Sequence, residues 1–210
     1  MKNWIAIILM LVMSLSLVAC GRSKELQETS TSDEGKGSLL ESNVEVTEIK
    51  VLVAYFSATG TTKGVAERIA DGLNADLYEI VPEEPYTDAD LNYNDNSSRS
   101  TVEMNDTDAR PEISGSVESM DQYDIVFLGY PIWWGDAPRI MSTFVESYDF
   151  SGKTVVPFCI SGGSGIGSSA SNLEKLTSGA TWLDGKRLNG SDSQDTVMEW
   201  VTSLGLDFGA

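Results

Sequence analysis

The chain has 210 residues, enough for one α/β domain with appendages but not for two full-size domains. Apolar residues make up 41% and charged residues 22%, a balance that excludes an entirely disordered protein. Acidic residues outnumber basic ones 32 to 14, and the net charge of −18 makes nucleic acid an unfavourable electrostatic partner. The sequence contains no histidine and only two cysteines, which excludes histidine-dependent nucleophilic triads and four-cysteine metal sites within one chain.

The first twenty residues have the pattern of a secretory signal: Lys2 precedes an apolar run that ends in small residues. Residues 17–21, Leu-Val-Ala-Cys-Gly, resemble the lipoprotein box of bacterial lipoproteins. That resemblance implies cleavage before Cys20 and a lipid on its thiol, which predicts a lipid anchor on the extracytoplasmic face of the membrane. The alternative is an uncleaved transmembrane anchor, for which the apolar run is shorter than the usual ~20 residues. Residues 21–46 are polar and without apolar periodicity, which predicts a flexible tether.

Residues 47–210 form the predicted domain, in which strand-like and helix-like patterns alternate. In chain order we predict a strand at 50–56, a helix at 61–73, an edge strand at 76–80, a long polar connection at 82–117, a strand at 124–130, a helix at 137–148, a strand at 154–160, a helix at 168–176, a short strand at 180–183 and a helix at 193–204. Pro157 lacks a ladder donor, which predicts a bulge or a locally unpaired N–H in its strand. This order predicts a doubly wound α/β fold with a five-stranded parallel sheet, whose ligands bind at the carboxyl ends of the strands.

The loop after the first predicted strand is rich in hydroxyls. Ser57, Thr59, Thr61 and Thr62 surround Gly60 and lead directly into a helix, whose N-terminus offers unpaired N–H groups and a partial positive charge. This pattern predicts a phosphate site. The structural alternative, a hydroxyl that caps the helix, accounts for one hydroxyl rather than four. The segment lacks the Walker spacing, so nucleoside triphosphate hydrolysis is not predicted.

Two further loops follow the third and fourth predicted strands. In the first, Trp133 and Trp134 are adjacent in a loop bounded by proline and glycine, which predicts that at least one ring stacks on a flat aromatic ligand. The alternative is that one or both pack against the domain body. In the second, residues 161–168 contain four glycines, which let the backbone approach a ligand closely.

Together these loops resemble those of the flavodoxin-like family, in particular its secreted or lipid-anchored members, over about residues 49–204. The resemblance implies the strand order 2-1-3-4-5 and noncovalent binding of FMN. It implies that the phosphate is held by Ser57, Thr59, Gly60, Thr61 and Thr62, and that the ring and ribityl chain are bordered by Pro131, Ile132, Trp133, Trp134, Gly135, Ser161, Gly162, Gly163 and Ser164. Many family members carry a tyrosine in the second ring loop, where this chain has Ile166 or Gly167. The resemblance therefore leaves Trp133 or Trp134 as the aromatic cover.

These features predict an electron carrier tethered outside the cytoplasmic membrane, whose negative surface docks on basic patches of redox partner proteins. An FMN-dependent NAD(P)H:quinone or flavin oxidoreductase is the alternative on the same fold, and a flavin-free binding domain is a third. The negative protein should disfavour added charge on the flavin, which predicts a low potential for its final reduction step.

Three other features receive structural interpretations. Residues 88–99 have calcium-loop spacing, but Tyr93 stands where the loop needs glycine and Arg99 where it needs an acid, so calcium binding is not predicted. We expect Arg99 and Arg110 to form surface ion pairs, although either could contact a quinone or a nicotinamide phosphate. Cys159 is expected to be a small buried hydrophobe.

Overall fold

The computed structural model describes residues 48–209. The predicted signal peptide (1–20), the lipidation site Cys20 and the tether (21–46) lie outside the described residues. Within the described part of the chain, no helix combines the length and the apolar character needed to cross a bilayer.

The described elements follow the predicted alternation. In chain order they are β1 (Val51–Tyr55), α1 (Thr61–Leu73), β2 (Asp76–Glu79), β3 (Val81–Pro82), α2 (Arg99–Asn105), β4 (Ile113–Ser114), a 3-10 turn (Met120–Gln122), β5 (Ile125–Pro131), α3 (Arg139–Glu146), β6 (Thr154–Ile160), α4 (Ser169–Glu174), β7 (Thr181–Trp182), β8 (Lys186–Leu188) and α5 (Gln194–Ser203). The main sheet is parallel and runs β2-β1-β5-β6-β7, with β8 also paired to β6. Counted along the chain, this is the predicted order 2-1-3-4-5.

Helices cover both faces of the sheet, which explains why its central strands are apolar throughout. Every residue of β1 is buried, and alternate residues face two separate core clusters. Leu52 packs in the cluster that contains α3 residues, whereas Val53 packs in the cluster that contains residues of α1 and α5. Full burial of one such side chain contributes about 1.5–3 kcal/mol, so the apolar pattern fixes the strand between the two helical layers.

The fifth strand of the sheet is divided opposite Pro157. On one side, β6 pairs with β5 along its whole length, including Pro157. On the other side, β7 pairs with Thr154 and Val155, and β8 pairs with residues 158–160. A Cβ added to Gly185 would lie 2.8 Å from the Pro157 ring, so the chain passes close to the proline between β7 and β8. The strand β6 therefore contains no bulge opposite β5, and the break in pairing at Pro157 lies in the neighbouring strand.

The connection from residue 82 to 117 contains more structure than its composition suggested. It holds α2 and the strand β4, which pairs with β3 in an antiparallel sheet. The Arg99 guanidinium lies 4.2 Å from the centre of the Tyr86 ring, and its Nε donates to Glu103 at 2.6 Å. Arg110 donates through Nε and Nη2 to the carboxylate of Glu146. The ion pairs expected for both arginines are confirmed.

Candidate functional site

A cleft of about 400 Å³ opens at the carboxyl edge of the sheet, where the loops after β1, β5, β6 and β8 meet. Eight of the predicted site residues line it: Thr59, Thr61, Thr62, Pro131, Ile132, Trp133, Ser161 and Gly162. Six others lie in the same loops but do not line the cleft wall: Ser57, Gly60, Trp134, Gly135, Gly163 and Ser164. The fold thus brings all three predicted loops to one cleft, whose volume suits a small-molecule site.

The loop between β1 and α1 leaves the helix N-terminus open. Gly60 is the N-cap residue and has a φ of +82°, a left-handed conformation that favours glycine. Within residues 48–209, no side chain accepts a hydrogen bond from the first turn of α1 as a cap. The alternative in which one hydroxyl only caps the helix is therefore wrong. The Oγ1 atoms of Thr59 and Thr61 lie 3.4 Å apart.

One hydroxyl in this loop is buried and unsatisfied. The Oγ of Ser57 has no hydrogen-bond partner among the described residues, although water does not reach it. A buried polar atom without a partner costs about 1–3 kcal/mol. The first turn of α1 contains no acidic residue to repel an anion. A ligand with several acceptor oxygens, such as a phosphate, fits this donor set because its oxygens can accept from both the hydroxyls and the open N–H groups.

The two tryptophans of the β5–α3 loop occupy different positions of one tight turn. The N–H of Trp133 donates to the carbonyl of Asp136, the N–H of Asp136 donates back, and both distances are 2.9 Å. Trp134 and Gly135 at the centre of the turn have positive φ values of 48° and 82°, as in a type I′ turn. This conformation costs a non-glycine residue about 1–2 kcal/mol.

Trp133 packs into the domain, and its ring contacts Phe56 and Tyr86 edge to face, with centroid distances of 5.6 and 5.2 Å. Trp134 is 44% exposed, and its ring centre lies 4.7 Å from that of Tyr93. The alternative that a tryptophan packs against the domain body is therefore correct for Trp133, which also lines the cleft, and wrong for Trp134.

The glycine-rich loop after β6 leaves room on its surface. Among the described residues, nothing lies within 4 Å of a Cβ added to Gly162 or Gly163. Ser161 Oγ donates to the carbonyl of Ser164 and closes the loop. Arg187, from β8, donates through Nη1 to the Gly163 carbonyl at 3.2 Å and through Nη2 to Asn189 Oδ1 at 2.8 Å. Arg187 therefore connects the glycine-rich loop with the loop after β8.

Cys159 is fully buried in β6, as predicted. Burial raises the pKa of its thiol to about 11, with a smaller opposing effect from the nearby Arg187 charge. At neutral pH the thiol is therefore protonated and is a poor nucleophile.

Sequence reasoning missed several residues of the cleft. Asn189 and Gly190 line it because they follow β8 at the same sheet edge as the other loops. Because ligands bind at the carboxyl ends of parallel strands, a prediction of β8 would also have predicted Asn189 and Gly190 as site residues. Leu91 and Tyr93 line the cleft from the connection between β3 and α2, for which no sequence signal indicated a position at the sheet edge.

Known proteins resemble the chain over nearly all of the described region. The family model described as Flavodoxin matches residues 50–204. A candidate flavoprotein of known crystal structure from Bacteroides eggerthii DSM 20697 is 48% identical over 75% of this chain and 99% of its own, with a TM-score of 0.71. One from Bacteroides uniformis ATCC 8492 is 46% identical over 73% of this chain and 98% of its own, with a TM-score of 0.70.

A more distant structure, of a flavoprotein from Lactobacillus acidophilus NCFM in complex with FMN, is 23% identical over 73% of this chain and 99% of its own. Its TM-score of 0.55 shows a shared fold. No curated protein matches the chain. The family match extends from the residue before β1 to the residue after α5, and it includes all three loops of the cleft. The chain therefore belongs to the flavodoxin family.

Proposed function

We propose that this protein binds FMN noncovalently in the cleft and acts as an electron carrier. The observation that carries the proposal is the buried, unsatisfied hydroxyl of Ser57 beside a helix N-terminus that no described side chain caps. Membership of the flavodoxin family and a distant homologous fold crystallised with FMN support the same ligand. When bound, FMN supplies the redox chemistry, and the protein supplies binding, orientation and electrostatics.

The β1–α1 loop would hold the phosphate. The hydroxyls of Ser57, Thr59, Thr61 and Thr62 would donate to its oxygens together with the first N–H groups of α1. Lys63 in the first turn adds a positive charge, which is partly offset by Glu79 at 3.4 Å. This binding mode needs no arginine, which agrees with the hydroxyl-rich composition of the loop.

The other two loops would hold the ring system. Pro131, Ile132 and the buried Trp133 give the cleft an apolar side, while Ser161 and Gly162 supply polar groups on the loop after β6. A planar heteroaromatic ring suits such a site, since its faces are apolar and its edge carries hydrogen-bonding atoms.

A carrier role is favoured over a reductase by the charge of the chain. Its strong negative charge would orient the protein on basic patches of redox partners. Association with such partners should weaken with increasing salt.

The first test is the visible spectrum of the purified protein with and without added FMN. We expect a yellow protein, or a colourless one that takes up FMN in a one-to-one ratio. A protein that takes up no FMN would contradict the proposal and favour a flavin-free binding domain. The second test is oxidation of NADPH with a quinone as acceptor. Slow oxidation, accelerated only by a protein reductase, agrees with a carrier, whereas rapid turnover without one favours the reductase alternative.

We also propose that a lipid on Cys20 anchors the protein outside the cytoplasmic membrane. The support is the lipoprotein-box pattern at residues 17–21 after an apolar run. Mass spectrometry of the mature N-terminus and membrane fractionation test it. The Cys20→Ser variant should carry no acyl groups. It should therefore be absent from the membrane fraction. Wild-type protein without acyl groups would contradict the anchor.

A further inference from the structure

Two exposed aromatic rings meet at the rim of the cleft. Tyr93 is 57% exposed and lines the cleft, and its ring centre lies 4.7 Å from that of Trp134 at an interplanar angle of 40°. Both belong to the few large apolar side chains that are exposed in the described part of the chain. Exposed aromatic surface that borders a concave site is typical of ligand contact.

The backbone before Tyr93 is attached to the domain, and a local turn holds the backbone around Tyr93 itself. Leu91 packs against the core cluster, and the N–H of Ser100 in α2 donates to the carbonyl of Asp90 at 3.0 Å. On the other side, the N–H of Asn94 donates to Oδ1 of Asn92 at 3.1 Å, which forms an Asx turn around Tyr93. Contact between a ligand and the Tyr93 ring should therefore cost little conformational entropy of this backbone.

Among the described residues of the cleft, the remaining walls offer little exposed aromatic surface. Trp133 is buried against Phe56 and Tyr86 and contributes only the part of its ring that faces the cleft. The loop after β6 contributes serine and glycine to the wall, and the loop after β8 contributes Asn189 and Gly190. Tyr93 is the cleft-lining residue whose ring is both large and open to solvent.

We propose that Tyr93 is a flavin-contacting residue that forms an aromatic wall of the ring site, with the Trp134 ring packed against it. This inference rests on the proposed binding of FMN. It assigns a ligand contact to the long connection between β3 and α2, in addition to the three loops recognised in the sequence. It also replaces the expectation that Trp133 or Trp134 alone covers the ring.

The test compares FMN and riboflavin, which share the ring system but differ in the phosphate. Flavin fluorescence titrations of the full chain give both dissociation constants for the wild type and for Tyr93→Ala, Tyr93→Leu, Tyr93→Phe and Val102→Ala. Val102 is a matched control because it is 54% exposed on α2 and does not line the cleft. Far-UV circular dichroism verifies that each variant is folded.

We expect Tyr93→Ala and Tyr93→Leu to weaken the binding of FMN and of riboflavin by the same factor of about 3 to 10, which corresponds to the loss of one aromatic contact. The flavin bound to these variants should also fluoresce more strongly, because a quenching ring is missing. Tyr93→Phe and Val102→Ala should stay within about twofold of the wild type.

Unchanged affinity and fluorescence in both ring-deleting variants, with a wild type that binds FMN, would overturn this inference and leave the proposed function intact. A loss of affinity for FMN but not for riboflavin would also overturn this inference, because Tyr93 would then act at the phosphate. Wild-type protein that binds neither flavin would overturn the proposed function and this inference together.

Discussion

Replacement of Ser57 by alanine should have opposite effects on the free protein and on flavin binding. Without ligand, the Ser57 hydroxyl is buried and lacks a hydrogen-bond partner among residues 48–209. An unsatisfied buried hydroxyl costs about 1–3 kcal/mol, and loss of the oxygen also removes some packing, so we expect a net stabilisation of about 1 kcal/mol. For a domain of this size, that corresponds to a rise in Tm of about 2–4 °C.

With FMN present, the same substitution should be harmful. A hydrogen bond to a charged partner contributes about 1.5–3 kcal/mol, so Ser57→Ala should weaken FMN binding about 10- to 100-fold. Differential scanning fluorimetry of the ligand-free protein and fluorescence titration with FMN measure the two effects. FMN should accordingly raise the Tm of Ser57→Ala much less than it raises the Tm of the wild type.

Thr143→Val is the matched control, because Thr143 Oγ1 is also buried without a partner in the described structure but lies in α3, outside the loops that form the cleft. It should stabilise the free protein and leave FMN affinity unchanged. The reasoning would be refuted if Ser57→Ala bound FMN within twofold of the wild type, or if it lowered the Tm of the ligand-free protein.

Three further experiments test other parts of the domain. Gly60→Ala should destabilise the protein by about 1–2 kcal/mol in urea unfolding because φ is +82° there, whereas Gly163→Ala, at a position with open space and no positive φ, should change stability by less than about 0.5 kcal/mol. Arg187→Gln should lower the potential of the final reduction step of bound FMN, because a cation near the ring loop favours added negative charge. Arg187→Lys keeps the cation and should restore the wild-type potential. Equal potentials of the wild type and Arg187→Gln in a redox titration would contradict this role of Arg187. In a Cys20→Ser chain, alkylation of Cys159 should be slow at pH 8, because a pKa of about 11 leaves about one thiol in a thousand as thiolate. The reaction should accelerate as the pH rises towards 11. Rapid reaction at pH 8 would show that the thiol is not buried.

The sheet and its helices could be predicted because burial imposes a clear periodicity on them. The apolar runs of β1, β5 and β6 indicate strands covered on both faces, and α1 has the predicted bounds Thr61–Leu73. Four short elements, β3, β4, β8 and α2, were not predicted because tertiary contacts specify them. The strand β8 reads Lys-Arg-Leu, of which only Leu188 is buried, and its position depends on pairing with β6 beyond Pro157.

The locations of the site loops were predictable, but the roles of individual residues within them were not. Trp133 and Trp134 are identical neighbours in the sequence, and only the turn with positive φ at Trp134 separates the buried ring from the exposed one. The sequence likewise could not reveal that α1 lacks a side-chain cap, since any of several hydroxyls had suitable spacing. Tyr93 escaped prediction because its position at the cleft depends on how α2 and Leu91 dock on the domain.

The ratio of the dissociation constants for riboflavin and FMN, measured on the purified wild-type protein, tests the central claim most directly. If the hydroxyl-rich loop and the open N-terminus of α1 bind the phosphate, FMN should bind at least about tenfold more tightly than riboflavin. Equal affinities for the two flavins, or no binding of either one, would contradict the assignment of this loop as the phosphate site.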